Sequence, residues 1–189
     1  MKLNLGCGFN KLDGYINVDN SAVCKPDQVF DIESTPWPWQ DSSIDEIRLD
    51  HVLEHIGVDP KTYISVWKEI WRVSKPNAQI FIRVPHWRHE NFAHDPTHVR
   101  PITPVGIAMF DQLRNREDEK RGGQETKLGL MYAIDVAIER VEYVFVPEIQ
   151  QALEKKFISQ EKASSLMEHE NNVCQEIKIG VRVMKPCRG

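Results

Sequence analysis

The sequence KLNLGCGFNKLDGYINVD, from Lys2 to Asp19, predicts two buried strands joined by a glycine turn. The strands are Leu3–Leu5 and Tyr15–Val18, and the two glycines of LGCG permit positive φ and a close approach of the backbone to a ligand. Only residues 6–14 connect the strands, whereas a parallel crossover usually takes a dozen residues or more. We therefore expect an irregular loop or a single turn in place of the first crossover helix.

The glycine pattern departs from the dinucleotide-binding fingerprint GxGxxG in two ways. The third glycine is missing, and Asp19 follows Gly8 by 11 positions rather than by about 20. A pyrophosphate prefers the N-terminus of a full helix. The turn therefore favours a ligand that has a ribose and no phosphate. A plain tight turn between two core strands is the alternative.

Three further strands and one helix are predicted before residue 86. The helix begins at the N-cap Asp59, which is followed by a proline, and it ends before Pro76. Strands that alternate with helices indicate a mostly parallel α/β sheet. The predicted strands are Val29–Ile32, Ile44–Leu49 and Gln79–Val84.

The second half of the chain is less regular, and we assign all of it to one domain that spans residues 1–189. We expect a loop and then a charged insertion that is mobile at the surface. A terminal hairpin follows, and a helical insertion separates its two strands. In order, the predicted segments are a lid-like loop (86–104), a helix (Val105–Arg114), the charged insertion (114–127), a strand (Val141–Val146), the helical insertion (148–170) and a last strand (Glu176–Met184).

The composition excludes several classes of function. A formal net charge of −4 and a pI of about 6.0 argue against a nucleic-acid-binding surface. No apolar run approaches the roughly 20 residues of a membrane-spanning helix. The four cysteines form no CxxC pair and no disulfide framework, which indicates reduced thiols. We therefore expect a cytoplasmic protein with no membrane contact and no nucleic-acid partner.

Five segments in fixed order resemble class I S-adenosylmethionine-dependent methyltransferases. These segments are LNLGCG, INVD, FDIE, SIDEIRLDHVLEHI and EIWRVSKPNAQIFIRVP, within residues 2–86. They are most similar to small bacterial and phage-type enzymes with an abbreviated first helix. The resemblance implies a Rossmann-like, seven-stranded, mostly parallel sheet with an antiparallel C-terminal hairpin. It also implies S-adenosyl-L-methionine as the cofactor and methyl transfer as the activity.

The resemblance assigns cofactor contacts to the ends of the first four strands. It implies that the glycine turn lies under the methionine moiety, that Asp19 binds the ribose hydroxyls, and that the segment after the third strand meets the adenine. A strand-end cap is the alternative for Asp19, and a helix cap for Asp31. The implied residues are Leu5, Gly6, Cys7, Gly8, Asp19, Asp31, Ile32, Asp50 and His51.

The loop HWRHENFAHDPTHVRP supplies the candidate catalytic residues. It follows the fifth strand, where enzymes of the resembled family often place substrate contacts. A hydroxyl acceptor needs a general base, and the candidates are His98, His86 and Asp95. Because the loop holds four histidines, a metal site is an alternative, and a flexible polar surface loop is another.

A competing motif overlaps the predicted cofactor residues. HVLEH, at His51–His55, matches the inverted zinc-peptidase motif HxxEH. On a helix, His51 and His55 would share one face with Glu54 beside them, a spacing that suits zinc. A metal-dependent hydrolase is therefore an alternative to the methyltransferase, for which we expect no metal.

The resemblance leaves the methyl acceptor open. We favour an oxygen atom of a small molecule or glycan, by analogy with the family alone. A catalytically inactive cofactor-binding module is a further alternative. A nucleic-acid methyltransferase is disfavoured by the acidic balance and by the lack of a [DN]PP[YFW] motif.

Overall fold

Seven strands form one sheet in residues 1–188, the part of the chain that the computed structural model describes. The strands are β1 (Lys2–Leu5), β2 (Ile16–Asp19), β3 (Gln28–Val29), β4 (Ile44–Asp50), β5 (Ser74–Pro85), β6 (Val136–Phe145) and β7 (Cys174–Val183). They lie in the order β3-β2-β1-β4-β5-β7-β6. The strands from β3 to β5 are parallel, and β7 is antiparallel to both β5 and β6. The predicted fold class is confirmed: a Rossmann-like, mostly parallel α/β sheet with an antiparallel C-terminal hairpin.

One long helix packs on the sheet, and the others are short. The helices are α1 (Pro60–Val73), α2 (Glu90–His94), α3 (Pro104–Ala108), α4 (Gln112–Lys120), α5 (Leu128–Tyr132), α6 (Pro147–Glu154) and α7 (Gln160–His169). Asp59 caps α1 by accepting a hydrogen bond from Lys61 N, as predicted. In this part of the chain, no helix has both the length and the apolar composition needed to cross a bilayer.

The sheet buries one face and exposes charges on the other. In β4, Ile47 and Leu49 are fully buried, whereas Arg48 points to the opposite side. Loops and one 3₁₀ turn connect β1 to β4, so α1 is the single crossover helix in the parallel part of the described chain. On the open face the charges pair with each other: Lys2 with Glu46, Arg83 with Glu176, and Lys178 with Glu142.

The third strand is shorter than the sequence predicts. It covers Gln28–Val29 rather than Val29–Ile32, because the chain turns at Asp31. The carboxylate of Asp31 accepts a hydrogen bond from Glu33 N at 2.9 Å, and its carbonyl accepts one from Ser34 N at 2.9 Å. This turn releases Ile32 from the sheet.

The predicted helix Val105–Arg114 is two helices, because Asp111 starts a new one by accepting hydrogen bonds from Leu113 N and Arg114 N. The charged insertion 114–127 is partly helical. It contains most of α4, and an ion pair between Arg114 and Glu125 at 2.7 Å ties its two ends together. The predicted helical segment 148–170 contains most of α6 and all of α7.

Candidate functional site

A cavity of about 410 Å³ opens at the carboxyl ends of β1, β2 and β4. This edge is where open α/β sheets bind their ligands, and the volume is typical of small-molecule sites. Five of the predicted cofactor residues line the cavity, namely Gly6, Asp19, Asp31, Ile32 and His51. The other lining residues are Asn20, Phe30, Glu33, Val52, His55 and Ile56.

Gly6 carries the chain out of β1 and along the cavity. Its φ of +63° lies in the left-handed region that favours glycine. A Cβ atom at this position would also lie 2.5 Å from Cγ2 of Val52, far inside contact distance. Residues 6–15 contain only turns, so the first crossover is the irregular loop that its length predicts.

Asp19, at the end of β2, presents an oriented carboxylate to the cavity. Its Oδ2 accepts a hydrogen bond from Gly8 N at 2.8 Å, and its Oδ1 accepts one from Ser21 N at 2.9 Å. A carboxylate oxygen can accept two hydrogen bonds, so each oxygen keeps one free acceptor position. The site therefore suits a ligand with two adjacent hydroxyl groups, such as a ribose.

The wall opposite β1 comes from the turn after β3. Here Ile32 is 7% exposed, and its carbonyl accepts a hydrogen bond from Trp37 Nε1 at 2.9 Å. Trp37 and Trp39 pack edge to face and belong to the core, not to the cavity wall. Glu33 fixes the rim, because its Oε1 accepts a hydrogen bond from Gly57 N at 2.6 Å.

Three predicted cofactor residues frame the cavity without lining it. Leu5 is fully buried at the end of β1, and Cys7 is 4% exposed. Gly8 contributes through its N–H, which holds the Asp19 carboxylate. These residues shape the turn, whereas Gly6 alone among the four residues of LGCG faces the cavity.

Asp50, another predicted cofactor residue, does not line this cavity. It lines a separate cavity of about 480 Å³ on the open face of the sheet, together with Arg48 and Arg83. The physical reason is strand alternation: β4 continues through Asp50, so this side chain points away from the face that buries Leu49.

His51 follows β4 directly and enters the cavity with φ of +56°, a conformation that is uncommon outside glycine. Its Nδ1 lies 3.3 Å from Oε1 of Glu54, and its Nε2 lies 3.2 Å from Oε1 of Glu176. The contact with the Glu54 carboxylate outweighs the opposing effect of burial and raises the pKa of His51.

The structure brings His98 to the cavity through His55. The two imidazole rings meet edge to face with their centroids 4.5 Å apart. One ligand atom each of Glu54, His55 and His98 lies within 4.8 Å of the other two. Asp95 lies behind this group, where it accepts a hydrogen bond from the Thr97 hydroxyl at 2.6 Å. Its contacts with Thr97 lower the pKa of Asp95, which makes it a weak base.

His86 lies outside this arrangement. It is 5% exposed and lines another cavity, of about 350 Å³, with Trp87 and Tyr143. Burial lowers the pKa of His86. The structure therefore places His86 in a different cavity from His51 and His55. His89 is a helix cap, whose Nδ1 accepts a hydrogen bond from Asn91 N.

The helical arrangement expected for HVLEH is absent from the described chain. Leu53–His55 is a single 3₁₀ turn, and His51 lies before it in a left-handed conformation. His51 and His55 are therefore not one turn apart on a common helix face, as the zinc-peptidase motif requires. Glu54 and His55 instead approach His98, a partner that sequence spacing did not reveal.

No protein-family model and no curated relative matches the chain, but several solved structures do. A SAM-dependent methyltransferase from Archaeoglobus fulgidus aligns with 96% of this chain and 85% of its own, with 18% identity and a TM-score of 0.61. One from Methanosarcina mazei aligns with 97% and 92%, with 14% identity and a TM-score of 0.55. A third is the 1,6-didemethyltoxoflavin-N1-methyltransferase of Burkholderia thailandensis, with bound 1,6-didemethyltoxoflavin and S-adenosylhomocysteine (97% and 71%, 11% identity, TM-score 0.53). These similarities show that the chain has the class I methyltransferase fold.

Proposed function

We propose that this chain, which has the class I methyltransferase fold, transfers a methyl group from S-adenosyl-L-methionine to an oxygen atom of a small-molecule acceptor. The observation that carries the proposal is the Asp19 carboxylate at the end of β2. Two backbone N–H groups orient it, and each of its oxygens keeps an acceptor position at a cavity of ligand size. Such a carboxylate suits a ribose diol.

The glycine turn supports a ligand without phosphate. A pyrophosphate is bound by the N–H groups and dipole at the start of a helix, and residues 6–15 contain no helix. Gly6 instead allows the backbone to pass close to a bound molecule, with Val52 packed behind it. S-adenosyl-L-methionine meets these conditions, since it has a ribose and no phosphate.

Each part of the cavity has a role in this proposal. Gly6 would lie against the methionine moiety, Asp19 would bind the ribose, and Asp31 with Ile32 would border the adenine. The cofactor supplies an electrophilic methyl group on a sulfonium ion. The protein has to align the acceptor with that methyl group and exclude water, which is a task of positioning.

The acceptor would approach from the His51 side of the cavity. His51 and His55 line this end, and the His98 ring packs edge to face against His55. Among the predicted catalytic residues, His98 therefore stays in the proposal, and Asp95 acts through Thr97 as a positioning residue. A sugar hydroxyl is the acceptor that we favour, and a cytoplasmic location remains our expectation.

Calorimetric titration tests the cofactor assignment. We expect S-adenosylmethionine and S-adenosylhomocysteine to bind one per chain with micromolar affinity, and NAD to bind far more weakly because its pyrophosphate has no helix N-terminus here. Absence of binding by both sulfur compounds would refute the proposal. Incubation with methyl-tritiated cofactor and a set of sugars and phenols then tests transfer. Binding without tritium in any acceptor would favour an inactive module.

A further inference from the structure

Glu54 is the most unusual buried group in the described chain. Its side chain is fully buried, and neither carboxylate oxygen has a hydrogen-bond partner among the described residues. A buried charge without partners is costly, so such groups are normally paired or bound to a cation. The protonated His51 ring would form an ion pair with it, with Nδ1 3.3 Å from Oε1, but this contact lies outside hydrogen-bond geometry.

The hydrogen bonds of His98 place a lone pair on Nε2 of the neutral ring, and this atom lies 3.9 Å from Oδ2 of Asp95, beyond hydrogen-bond distance. Its Nδ1 lies 2.8 Å from the carbonyl oxygen of Phe92. A carbonyl only accepts, so Nδ1 carries the proton, and in the neutral ring Nε2 is then an acceptor. This is the state in which histidine binds metals, with its other ring nitrogen held by a backbone carbonyl.

His55 is held in the same state by a different route. Its Nδ1 lies 2.9 Å from Oγ1 of Thr97, whose hydroxyl donates to Oδ1 of Asp95 at 2.6 Å. Since the Thr97 hydroxyl has a single proton, Nδ1 of His55 has to be the donor in their contact. The lone pair of His55 therefore also lies on Nε2.

The backbone fixes the two segments that carry these side chains. The carbonyl of Glu54 accepts a hydrogen bond from Val99 N at 2.8 Å, next to His98. Arg100 adds a second tie, because its Nε donates to the Ile56 carbonyl at 3.0 Å and its guanidinium stacks 4.3 Å from the centre of the Tyr63 ring. The cluster is therefore preorganised, as ligand sets of metal sites are.

We propose that Glu54, His55 and His98 bind one divalent transition-metal ion, with Zn²⁺ as the best match. Two imidazoles and one carboxylate are typical of zinc sites that keep an open position, and of related sites for iron and cobalt. Mg²⁺ prefers oxygen ligands and fits poorly. The site differs from the HxxEH pattern, because His98 replaces His51 as a ligand.

The location of the cluster gives the metal a function. His55 both lines the 410 Å³ cavity and belongs to the cluster. An ion here would offer open coordination positions to the acceptor oxygen and would lower the pKa of a bound hydroxyl. This role rests on the proposed methyl transfer, whereas metal binding itself rests only on the three side chains.

Metal titration of chelator-stripped protein tests the site. Zn²⁺ affinity is measured by competition with a chromophoric chelator, and Co²⁺ is followed by its visible absorption. The variants are Glu54→Gln and His98→Gln, with His94→Gln as the matched control, since His94 is an exposed histidine of the same loop outside the cluster. Thr97→Val provides a milder change that leaves all three ligands in place.

We expect one Zn²⁺ per chain in the wild-type protein and in His94→Gln. Loss of a group that hydrogen-bonds to a metal ligand lowers metal affinity about 10- to 100-fold, so Thr97→Val should weaken Zn²⁺ binding about tenfold. His98→Gln and Glu54→Gln each remove a ligand and should weaken Zn²⁺ binding by more than about 100-fold, with loss of the Co²⁺ spectrum. Absence of stoichiometric Zn²⁺ binding, or equal affinity in His98→Gln and the wild type, would overturn the proposal. Unfolding curves recorded in chelator show whether each variant is folded.

Titration of the same samples with S-adenosylhomocysteine separates the two proposals. Zn²⁺ binding without S-adenosylhomocysteine binding would support the metal site and refute the proposed function. S-adenosylhomocysteine binding without Zn²⁺ binding would support the proposed function and refute the metal site. The charge of Glu54 would then be balanced by the protonated His51 ring.

Discussion

Replacing Asp19 with asparagine keeps the shape of the side chain but exchanges one acceptor oxygen for an NH₂ donor. In the native protein the two oxygens hold Gly8 N at 2.8 Å and Ser21 N at 2.9 Å, and each keeps one acceptor position for the ligand. Asparagine has one oxygen, so it can hold one of these N–H groups and accept from only one ribose hydroxyl. The charge that strengthens the contacts is also lost.

The magnitude follows from the bonds that are lost. A hydrogen bond to a charged group contributes about 1.5–3 kcal/mol, so loss of one ribose contact should weaken S-adenosylhomocysteine binding about 10- to 150-fold. Loss of one backbone contact should lower the free energy of unfolding by about 1 kcal/mol, or the melting temperature by about 2–4 °C. The variant should therefore stay folded while it loses its ligand.

Calorimetry with S-adenosylhomocysteine measures the first effect, and thermal unfolding without ligand measures the second. Asp13→Asn is the control, because Asp13 is an exposed residue of the loop between β1 and β2 and does not line the cavity. Unchanged affinity in Asp19→Asn would refute the ribose contact. Equal losses in both variants would attribute the effect to the charge of the loop instead.

Two further predictions concern stability. In thermal unfolding, Gly6→Ala should lower the free energy of unfolding by about 1–3 kcal/mol more than Gly14→Ala. Both positions have positive φ, but only a Cβ atom at position 6 would lie against Val52. Equal losses of stability in the two variants would show that the backbone conformation alone matters. Burial raises the pKa of Glu69, yet bonds from Arg72 and a backbone N–H outweigh it, so the pKa lies below its usual value of 4.5. A carboxylate whose pKa is lowered by folding stabilises the protein at pH values above its unfolded pKa, and this stabilisation is lost as the pH falls through the folded pKa. Glu69→Gln should therefore lower the free energy of unfolding by about 2 kcal/mol at pH 7 and reduce its dependence on pH below about pH 4.5. Parallel stability curves for the variant and the wild type would contradict this.

Local sequence patterns were sufficient for the glycine turn and for the positions of most strands, whereas the seven-stranded topology came from the family resemblance. Alternating apolar residues place the strands, and the spacing of Gly8 and Asp19 already excluded a full crossover helix. The same alternation indicates that Asp50 faces away from Leu49, since successive side chains of a strand point to opposite faces. The sequence prediction ended this strand at Leu49, whereas the structure continues it through Asp50.

The remaining cavity residues depend on tertiary structure that no local pattern encodes. Phe30 and Glu33 line the cavity because Asp31 turns the chain out of the sheet. His98 meets His55 because backbone bonds dock the loop on the 3₁₀ turn, and sequence spacing carries no trace of that docking. The ion pairs within the charged insertion 114–127 likewise cannot be assigned from composition alone.

The 3₁₀ turn Leu53–His55 connects the two proposed sites physically. Leu53 anchors the turn in the core with no exposed surface, so the turn cannot shift without cost. From this anchor, Glu54 faces the histidine cluster, while His55 contributes to both the cluster and the cavity wall. A metal ion bound at the proposed site would therefore orient His55 and shape the cavity, and a ligand in the cavity would act on the metal through the same ring. Thermodynamic linkage then requires that the metal changes the affinity of the protein for the ligand by the same factor by which the ligand changes its affinity for the metal.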